Sequence, residues 1–241
     1  MFFVIVLVAL VVEAAAGFGA TVVTVTFAAQ LLPVDDVLAA FLPVNLLLSA
    51  WMVVRYRSLV DHERLFRRVL PLMGAGMAVG ILLSAQLGAL WLKALFALFV
   101  VILSSLELRR RDTEVQLSTA AGTAAMLGAG AIHGLFACGG PLLVWVLGRE
   151  MPEKGRFRAT LATVWLILGL ALLVRYRLAG TLTLDSLRTS LWLLPALGLG
   201  LWLGERVHHR IPEAAFRRWI YRLLLFAGAS LLARTITAFW A

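Results

Sequence analysis

The fold is decided by residues 13–20, EAAAGFGA, which interrupt a long apolar stretch of the chain. A break of the same kind follows 120 residues later at residues 133–140, HGLFACGG. The apolar regions that contain these two breaks are residues 2–32 and 119–149, and the chain is expected to leave the helix at Gly17-Phe18-Gly19 in the first and at Cys138-Gly139-Gly140-Pro141 in the second. Glycine-rich breaks at corresponding places in two apolar halves are typical of membrane proteins built from internal repeats. The chain is therefore predicted to consist of two repeats.

Further matches extend the repeat over most of the chain. Arg55-Tyr56-Arg57 returns at the same spacing as Arg175-Tyr176-Arg177. At a spacing of 124, a second pattern recurs with every fixed residue unchanged: Leu70, Pro71, Gly74, Gly76 and Gly80 correspond to Leu194, Pro195, Gly198, Gly200 and Gly204. These matches predict one transmembrane domain, residues 1–241, made of a first repeat at 1–112 and a second at 113–241.

The composition predicts an all-α integral membrane protein. Hydrophobic residues make up 62% of the chain, charged residues only 15%, and the mean hydropathy is +0.94. Apolar runs near the lower length limit for spanning occur at 37–54, 69–87, 92–107, 159–174, 189–204 and 217–233. Each repeat is thus predicted to hold one broken re-entrant helical hairpin followed by three transmembrane helices. Residues 2–12 resemble a signal-peptide core, but no Lys or Arg precedes Arg55, so this segment is expected to be retained.

The basic residues are expected to set membrane orientation. The formal net charge is +9, yet the Lys and Arg residues lie in short clusters between apolar runs, which argues against nucleic-acid binding. If both broken regions return to their starting side, these residues divide 16 inside to four outside; if each crosses once, they divide 11 to nine. Arg222 and Arg234, in or after the last helix, are left out of both counts. The first division favours inverted repeats with both termini outside the cytoplasm. The single cysteine cannot form an intrachain disulfide.

The two breaks are the strongest candidates for a ligand site. Gly17, Gly19, Gly139 and Gly140 permit a bend or a close backbone approach, and Pro141 suits the first turn of a helix. Half-helices that begin near Thr21 and Pro141 would direct unpaired amides and positive dipole ends at the protein centre, where an anion could bind. Close helix packing is the other explanation for the glycines, and it is favoured for the two matching glycine sets that follow the Leu-Pro pairs.

Glu13 and His133 are candidates for proton coupling. Glu13 follows about twelve apolar residues, which places it near the bilayer middle, and His133 is its repeat counterpart. An ionisable pair at that depth could take up a proton with substrate, or each residue could cap its own broken helix. Asn45, Ser49, Thr163 and Trp165 either line a cavity or hydrogen-bond between helices.

Several other features have simpler explanations. Cys138 is read first as a small packing residue and second as a reactive thiol. The adjacent pair His208-His209 lacks the spacing and the further ligands of a metal site. The Arg-Tyr-Arg tripeptides are expected to anchor helix ends at the interface, with gating as the alternative. No cofactor and no metal is expected.

The motifs resemble those of the sulfite exporter TauE/SafE family of membrane transporters. The resemblance rests on Glu13 with Gly17-Phe18-Gly19, on residues 133–141, and on the two Arg-Tyr-Arg tripeptides, in both halves. It implies a multi-pass permease of the bacterial inner membrane that moves sulfur-containing anions such as sulfite or organosulfonates, usually outward. The family's commoner break has three consecutive glycines, whereas Ala20-Thr21 and Pro141 replace the later ones here.

Sequence and resemblance together predict a secondary transporter that works by alternating access. The predicted substrate-binding residues surround the two breaks: Gly17, Phe18, Gly19, Ala20, Thr21, Asn45, Cys138, Gly139, Gly140, Pro141 and Trp165. The expected partners are a small anion, the lipid bilayer and protons, with a homo-oligomer left open. The alternatives are an intramembrane enzyme that uses Cys138 and His133, and a membrane subunit that transports nothing.

Overall fold

The computed structural model describes residues 1–109, 118–151, 153–210 and 213–240. These residues form helices and turns without a β-strand, which confirms the all-α prediction. In chain order the helices of the first half are α1 (Phe2–Ala16), α2 (Ala20–Ala28), α3 (Val34–Tyr56), α4 (His62–Arg64), α5 (Leu70–Ser84) and α6 (Ala89–Arg109). Those of the second half are α7 (Thr119–Phe136), α8 (Gly140–Glu150), α9 (Lys154–Leu178), α10 (Leu184–Trp192), α11 (Leu194–Arg210) and α12 (Glu213–Phe239).

Helices suited to crossing a membrane occur in all six predicted places. Within the described residues, five are long and apolar enough alone: Val34–Leu59, His62–Ser84, Ala89–Arg109, Lys154–Leu178 and Arg218–Ala238. The sixth is the pair of α10 and α11, which is bent by 42°. Val34–Leu59 and Lys154–Leu178 run past the predicted segments 37–54 and 159–174 because both segments were ended at charged residues, whereas α5 ends at Ser84, three residues before the predicted end at 87. Long basic side chains at a helix end can reach the interface while their stems stay in apolar surroundings.

Proline explains the irregular turns in corresponding helices. Pro195 lies in the first turn of α11, where it cannot donate to a carbonyl of α10 and its ring displaces the preceding turn. The bend between α10 and α11 follows. Pro71 has the same place in α5, and there the preceding turn, Leu65–Val69, is π-helical. One sequence feature thus produces a kink in one half and a wider turn in the other.

Helix packing follows the repeat. The most extensive helix pairs are α5 with α7, α1 with α11, α6 with α12, and α3 with α9. In the repeat, α1, α3, α5 and α6 correspond to α7, α9, α11 and α12. Exchanging the halves therefore converts the α5–α7 pair into the α11–α1 pair and leaves the α6–α12 and α3–α9 pairs unchanged. Such a pattern is expected of two halves related by a two-fold axis.

The matching glycines make these close helix contacts. A Cβ added at Gly76 or Gly80 would overlap backbone atoms of α7, and one added at Gly200 or Gly204 would press on α1. Gly74 and Gly198 have open space around them instead. Four of the six glycines therefore support the packing explanation, as small residues do between membrane helices.

Charged side chains gather where residues 55–68 meet residues 149–158, and we call this the basic end of the helix bundle. Arg68 pairs with Glu150 at 2.8 Å, and Arg156 approaches Asp61 at 3.5 Å. At the opposite end, Arg175 donates to the Ser84 hydroxyl at 2.8 Å. Inverted repeats require the two basic segments to share one end, whereas parallel repeats would place them at opposite ends.

Cysteine labelling tests which end faces the cytoplasm. We expect single cysteines placed at Asp35 and Glu153, in a Cys138→Ser background, to react with an impermeant thiol reagent from opposite sides of the membrane. Asp35 lies in the first turn of α3 at the end away from the basic end, and Glu153 lies within residues 149–158, directly before α9. The positive-inside rule places Glu153 in the cytoplasm. Reaction of both cysteines from the same side would contradict the inverted arrangement.

Candidate functional site

The first break is held at both sides by Glu13. Gly17 and Gly19 adopt left-handed conformations, with φ of 84° and 105°, which favour glycine because it lacks a Cβ. The Gly17 amide donates to the backbone carbonyl of Glu13 at 2.6 Å. The Ala20 amide, at the start of α2, donates to Glu13 Oε2 at 3.0 Å. Glu13 therefore caps the half-helix that follows the break, which was the simpler of its two predicted roles.

The second break has the same backbone turn with different side-chain chemistry. Ala137 adopts a left-handed φ of 54°, and its amide donates to the backbone carbonyl of His133 at 2.8 Å. The His133 ring, however, caps nothing: both of its nitrogens are buried without a hydrogen-bond partner. The ring stacks on Trp165 with centroids 5.7 Å apart. The repeat thus places a bound carboxylate at one break and an unpartnered imidazole at the other.

The second break lies slightly earlier than predicted. The residues outside the helices are Ala137, Cys138 and Gly139, whereas Gly140 and Pro141 already belong to α8. Proline in a first helical turn loses no hydrogen bond, since that amide has no intrahelical carbonyl to reach. The expected helix starts near Thr21 and Pro141 agree with the observed starts at Ala20 and Gly140.

A small cavity of about 20 Å³ lies between the two breaks. Most of its lining residues were predicted from the sequence: Glu13, Gly19, Thr21, Asn45, His133, Cys138, Gly140 and Trp165. The cavity has room for a water-sized particle. Both halves of the chain contribute to it, as expected for a site at the interface between repeats.

The other predicted site residues are neighbours of the cavity and do not line it. The Gly17 carbonyl accepts a hydrogen bond from Trp165 Nε1 at 3.0 Å, and the Phe18 side chain lies against Gly140. Ala20 is engaged with Glu13, and Pro141 is buried within α8. Gly139 faces away from the cavity, because a Cβ added there would overlap the Ala129 carbonyl oxygen of α7.

The two adjacent glycines of the second break should respond differently to substitution. Gly139→Ala is expected to destabilise the protein, because its methyl group would collide with rigid backbone. At Gly140 an added Cβ lies 3.6 Å from Phe18 and 3.7 Å from Trp165, which is ordinary contact. Gly140→Ala should therefore fold and lose transport, since Gly140 lines the cavity and its methyl group would lie against Trp165, another lining residue. Thermal unfolding and flux of the two variants measure this, and equal losses of stability would contradict it.

The cavity lining contains donors suited to an anion. Thr21 and Val22 lie in the first turn of α2, and Gly140 in the first turn of α8, where helix geometry leaves amides without an intrahelical carbonyl. The positive ends of two helix dipoles meet there. Among the described lining residues none is Lys or Arg, and Glu13 is the one carboxylic acid. The Asn45 side chain lies close enough to interact with that carboxyl group.

Sequence reasoning missed four lining residues: Val22, Leu42, Ala137 and Gly169. Helical spacing could have found two of them. Leu42 precedes Asn45 by three residues and Gly169 follows Trp165 by four, so each shares a helix face with a predicted lining residue. Ala137 corresponds to Gly17, and its left-handed conformation could not be read from an alanine.

The remaining candidates do not form further sites in the described part of the chain. Thr163 donates to the Ala159 carbonyl of its own helix at 2.9 Å, and Ser49 is buried with an unpartnered hydroxyl. No cluster of three metal-binding side chains occurs among the described residues. The side chains of the His208-His209 pair lie outside that part. Cys138 and His133 both line the cavity but share no hydrogen bond, so a nucleophile and base pair is not assembled.

Comparison with known proteins identifies the family of the chain. A curated relative from Comamonas testosteroni, named "Probable inner membrane transporter protein TsaS", is 30% identical over 171 residues, which cover 68% of this chain and 69% of the relative. No solved structure matches the chain. The family described as "Sulfite exporter TauE/SafE" matches residues 1–231, which include both breaks and every lining residue of the cavity. The chain belongs to the sulfite exporter TauE/SafE family of membrane transporters.

Proposed function

We propose that this protein exports a small sulfur-containing oxyanion, such as sulfite or an organosulfonate, across the bacterial inner membrane. The observation that carries the proposal is the convergence of two half-helix starts and one unpartnered histidine on a single cavity. Sulfite and the outward direction come from the family's description, whereas organosulfonates come from the family resemblance of the sequence motifs. The inner membrane comes from the name of the relative.

Anion recognition would use the protein backbone. The amides at the starts of α2 and α8 can donate to separate oxygens of one oxyanion, and the two helix dipoles favour its negative charge. Asn45 and Thr21 add side-chain donors, and His133 can donate once a ligand approaches its ring. Weak fixed donors in place of a buried Lys or Arg would let the anion leave again, as a transporter requires.

Proton coupling would follow from Glu13. A charged Glu13 and an anion in the same cavity repel each other, and the repulsion is strong where water is excluded. Protonation of Glu13 removes this repulsion, so the site favours an anion and a proton together, and export of the pair is then driven by the outward concentration gradient of the anion. His133 is the lining group best able to exchange that proton, because its nitrogens are otherwise unpartnered. Alternating access would arise from rocking of the two repeats around this fixed site.

Flux measurements on the purified protein in liposomes test the proposal. We expect sulfite or an organosulfonate to be transported in preference to sulfate, and transport to respond to an imposed pH gradient. The panel should include sulfite, sulfoacetate, taurine and sulfate, each with and without the gradient. Chemical conversion of a panel member would favour the intramembrane enzyme. Absence of both flux and conversion would favour a membrane subunit without transport activity.

A further inference from the structure

We propose that Arg158 is a second anion-binding residue on the transport path and that Glu205 occupies it until the substrate displaces the Glu205 carboxylate. The proposal rests on the proposed function, since the displacing ligand is the transported oxyanion. It concerns the side of the cavity that faces the basic end, where α3, α9 and α11 meet.

Arg158 is the one buried cation among the described residues, with 6% of its surface exposed. Its stem packs directly against the first break, since a Cβ added at Gly17 would lie 3.1 Å from Arg158 Cγ. The carbonyl of the same glycine is bound by Trp165, which lines the cavity. A single residue, Gly17, therefore separates the Arg158 stem from the cavity lining.

The guanidinium group of Arg158 has unused binding capacity. One of its terminal nitrogens contacts Glu205 Oε1 at 2.6 Å, while Nε is buried without a partner. The face of the group lies over the Tyr56 ring, 5.3 Å from its centroid. An arginine binds an oxyanion best through two parallel donors, and the present pair uses only one. A small oxyanion could use both.

An open groove beside Glu205 can accept its side chain when the substrate displaces it. Glu205 is held by one Arg158 nitrogen and by the Tyr56 hydroxyl, which lies 3.3 Å from each carboxylate oxygen. It also lines an open groove of about 420 Å³ together with Trp51, Trp202 and Arg206. The Arg206 guanidinium lies over the Trp202 ring in that groove. A cation is thus present where the released carboxylate would move.

Replacement of Glu205 by the incoming oxyanion is favoured over breaking the Arg158–Glu205 ion pair without a replacement. A buried arginine that loses its carboxylate without replacement is left as an uncompensated charge, which is strongly unfavourable. An incoming oxyanion supplies the replacement, so departure of Glu205 and arrival of substrate are linked. The repeat counterparts of Arg158 and Glu205 are Leu38 and Ile81, so the corresponding positions at the opposite end hold no such pair. The exchange therefore acts only on the side of the basic end.

Chemical modification of the native cysteine can test whether Arg158 binds anions, and the transported anion need not be known. Cys138 is the chain's single cysteine and lines the cavity. We would measure its modification rate in membrane vesicles of both orientations with an anionic sulfonatoethyl and a cationic trimethylammonioethyl methanethiosulfonate. The readout is the anionic-to-cationic rate ratio from the basic end, which reports the preference of that path for negative charge.

Glu205→Gln should raise this ratio by about tenfold. Without the Glu205 carboxylate, the Arg158 guanidinium can form a charge-assisted hydrogen bond with the sulfonate of the anionic reagent. Arg158→Gln should lower it below that of the unmodified protein, Arg158→Lys should lower it partly, and the double variant should behave as Arg158→Gln does. The matched control is Glu150→Gln, which removes a carboxylate from arginine pairs at the same end and should leave the ratio unchanged.

An unchanged ratio in Glu205→Gln, or an equal rise in the variant that also lacks Arg158, would overturn the proposal. If Arg158→Gln does not reach the membrane, the comparison of Glu205→Gln with Glu150→Gln decides. The proposed function can fail separately. If the unmodified protein moves no sulfur oxyanion while Glu205→Gln still raises the ratio, the substrate assignment fails and the role of Arg158 stands.

Discussion

Modification of Cys138 with a small thiol reagent is expected to abolish transport in the folded protein. Cys138 lies at the second break and lines a cavity of only about 20 Å³, so both the reagent and the substrate reach it when the two repeats open toward one side, and an added methylthio group then occupies the space that the substrate needs. The modification follows folding, so it separates a filled cavity from a misfolded chain, which a bulky substitution would not. Flux in liposomes before and after treatment measures the effect, and the expected loss is complete.

Two comparisons make this result specific. Flux in Cys138→Ser should be the same before and after treatment, whatever its own starting rate, because no thiol is left to react. A saturating concentration of the transported anion should slow the reaction of Cys138, since both occupy the same space. Undiminished flux in fully modified protein would place the substrate elsewhere.

The sequence predicted the order of the elements because the membrane restricts the possible structures. A lipid-exposed backbone must satisfy its own hydrogen bonds, so long apolar runs could only become helices. Glycine marked both breaks because a turn at that depth needs conformations that other residues avoid. Ala137 is the exception, as it adopts the left-handed conformation without being glycine. The second break was consequently placed one residue late.

Side-chain partners were harder to predict than positions. Both Glu13 and His133 could be placed at the breaks from the repeat alone, yet only Glu13 binds the following half-helix. The difference depends on where each side chain points. Arg158 was counted only as one charge of a basic segment, because nothing in the sequence indicates that its stem packs on Gly17. Gly17 and Arg158 are about 140 positions apart, and their contact arises from the packing of the two repeats. The pattern of residues along the sequence does not specify that packing.

Glu13→Gln is expected to remove the response of transport to a pH gradient while leaving the protein folded. The glutamine carbonyl oxygen can still accept from the Ala20 amide, as Glu13 Oε2 does at 3.0 Å, so the start of α2 remains capped. The side chain can no longer take up a proton. In a transporter that couples one proton to one anion, each pH unit is worth about 1.4 kcal/mol, or about a tenfold change in accumulation. Accumulation by Glu13→Gln should not change with the gradient.

Two further variants divide the capping role of Glu13 from its titration. Glu13→Ala removes both and should also lower the free energy of unfolding, by about 1 kcal/mol for a lost cap. His133→Gln keeps a polar side chain beside Trp165 and should shift the response to pH, because the unpartnered imidazole would no longer exchange a proton with Glu13. The effects of Glu13→Gln and His133→Gln should be less than additive if the two groups act on one proton. If accumulation by Glu13→Gln still followed the pH gradient as in the unmodified protein, Glu13 would serve only as a helix cap. The proton would then have to be carried by another group.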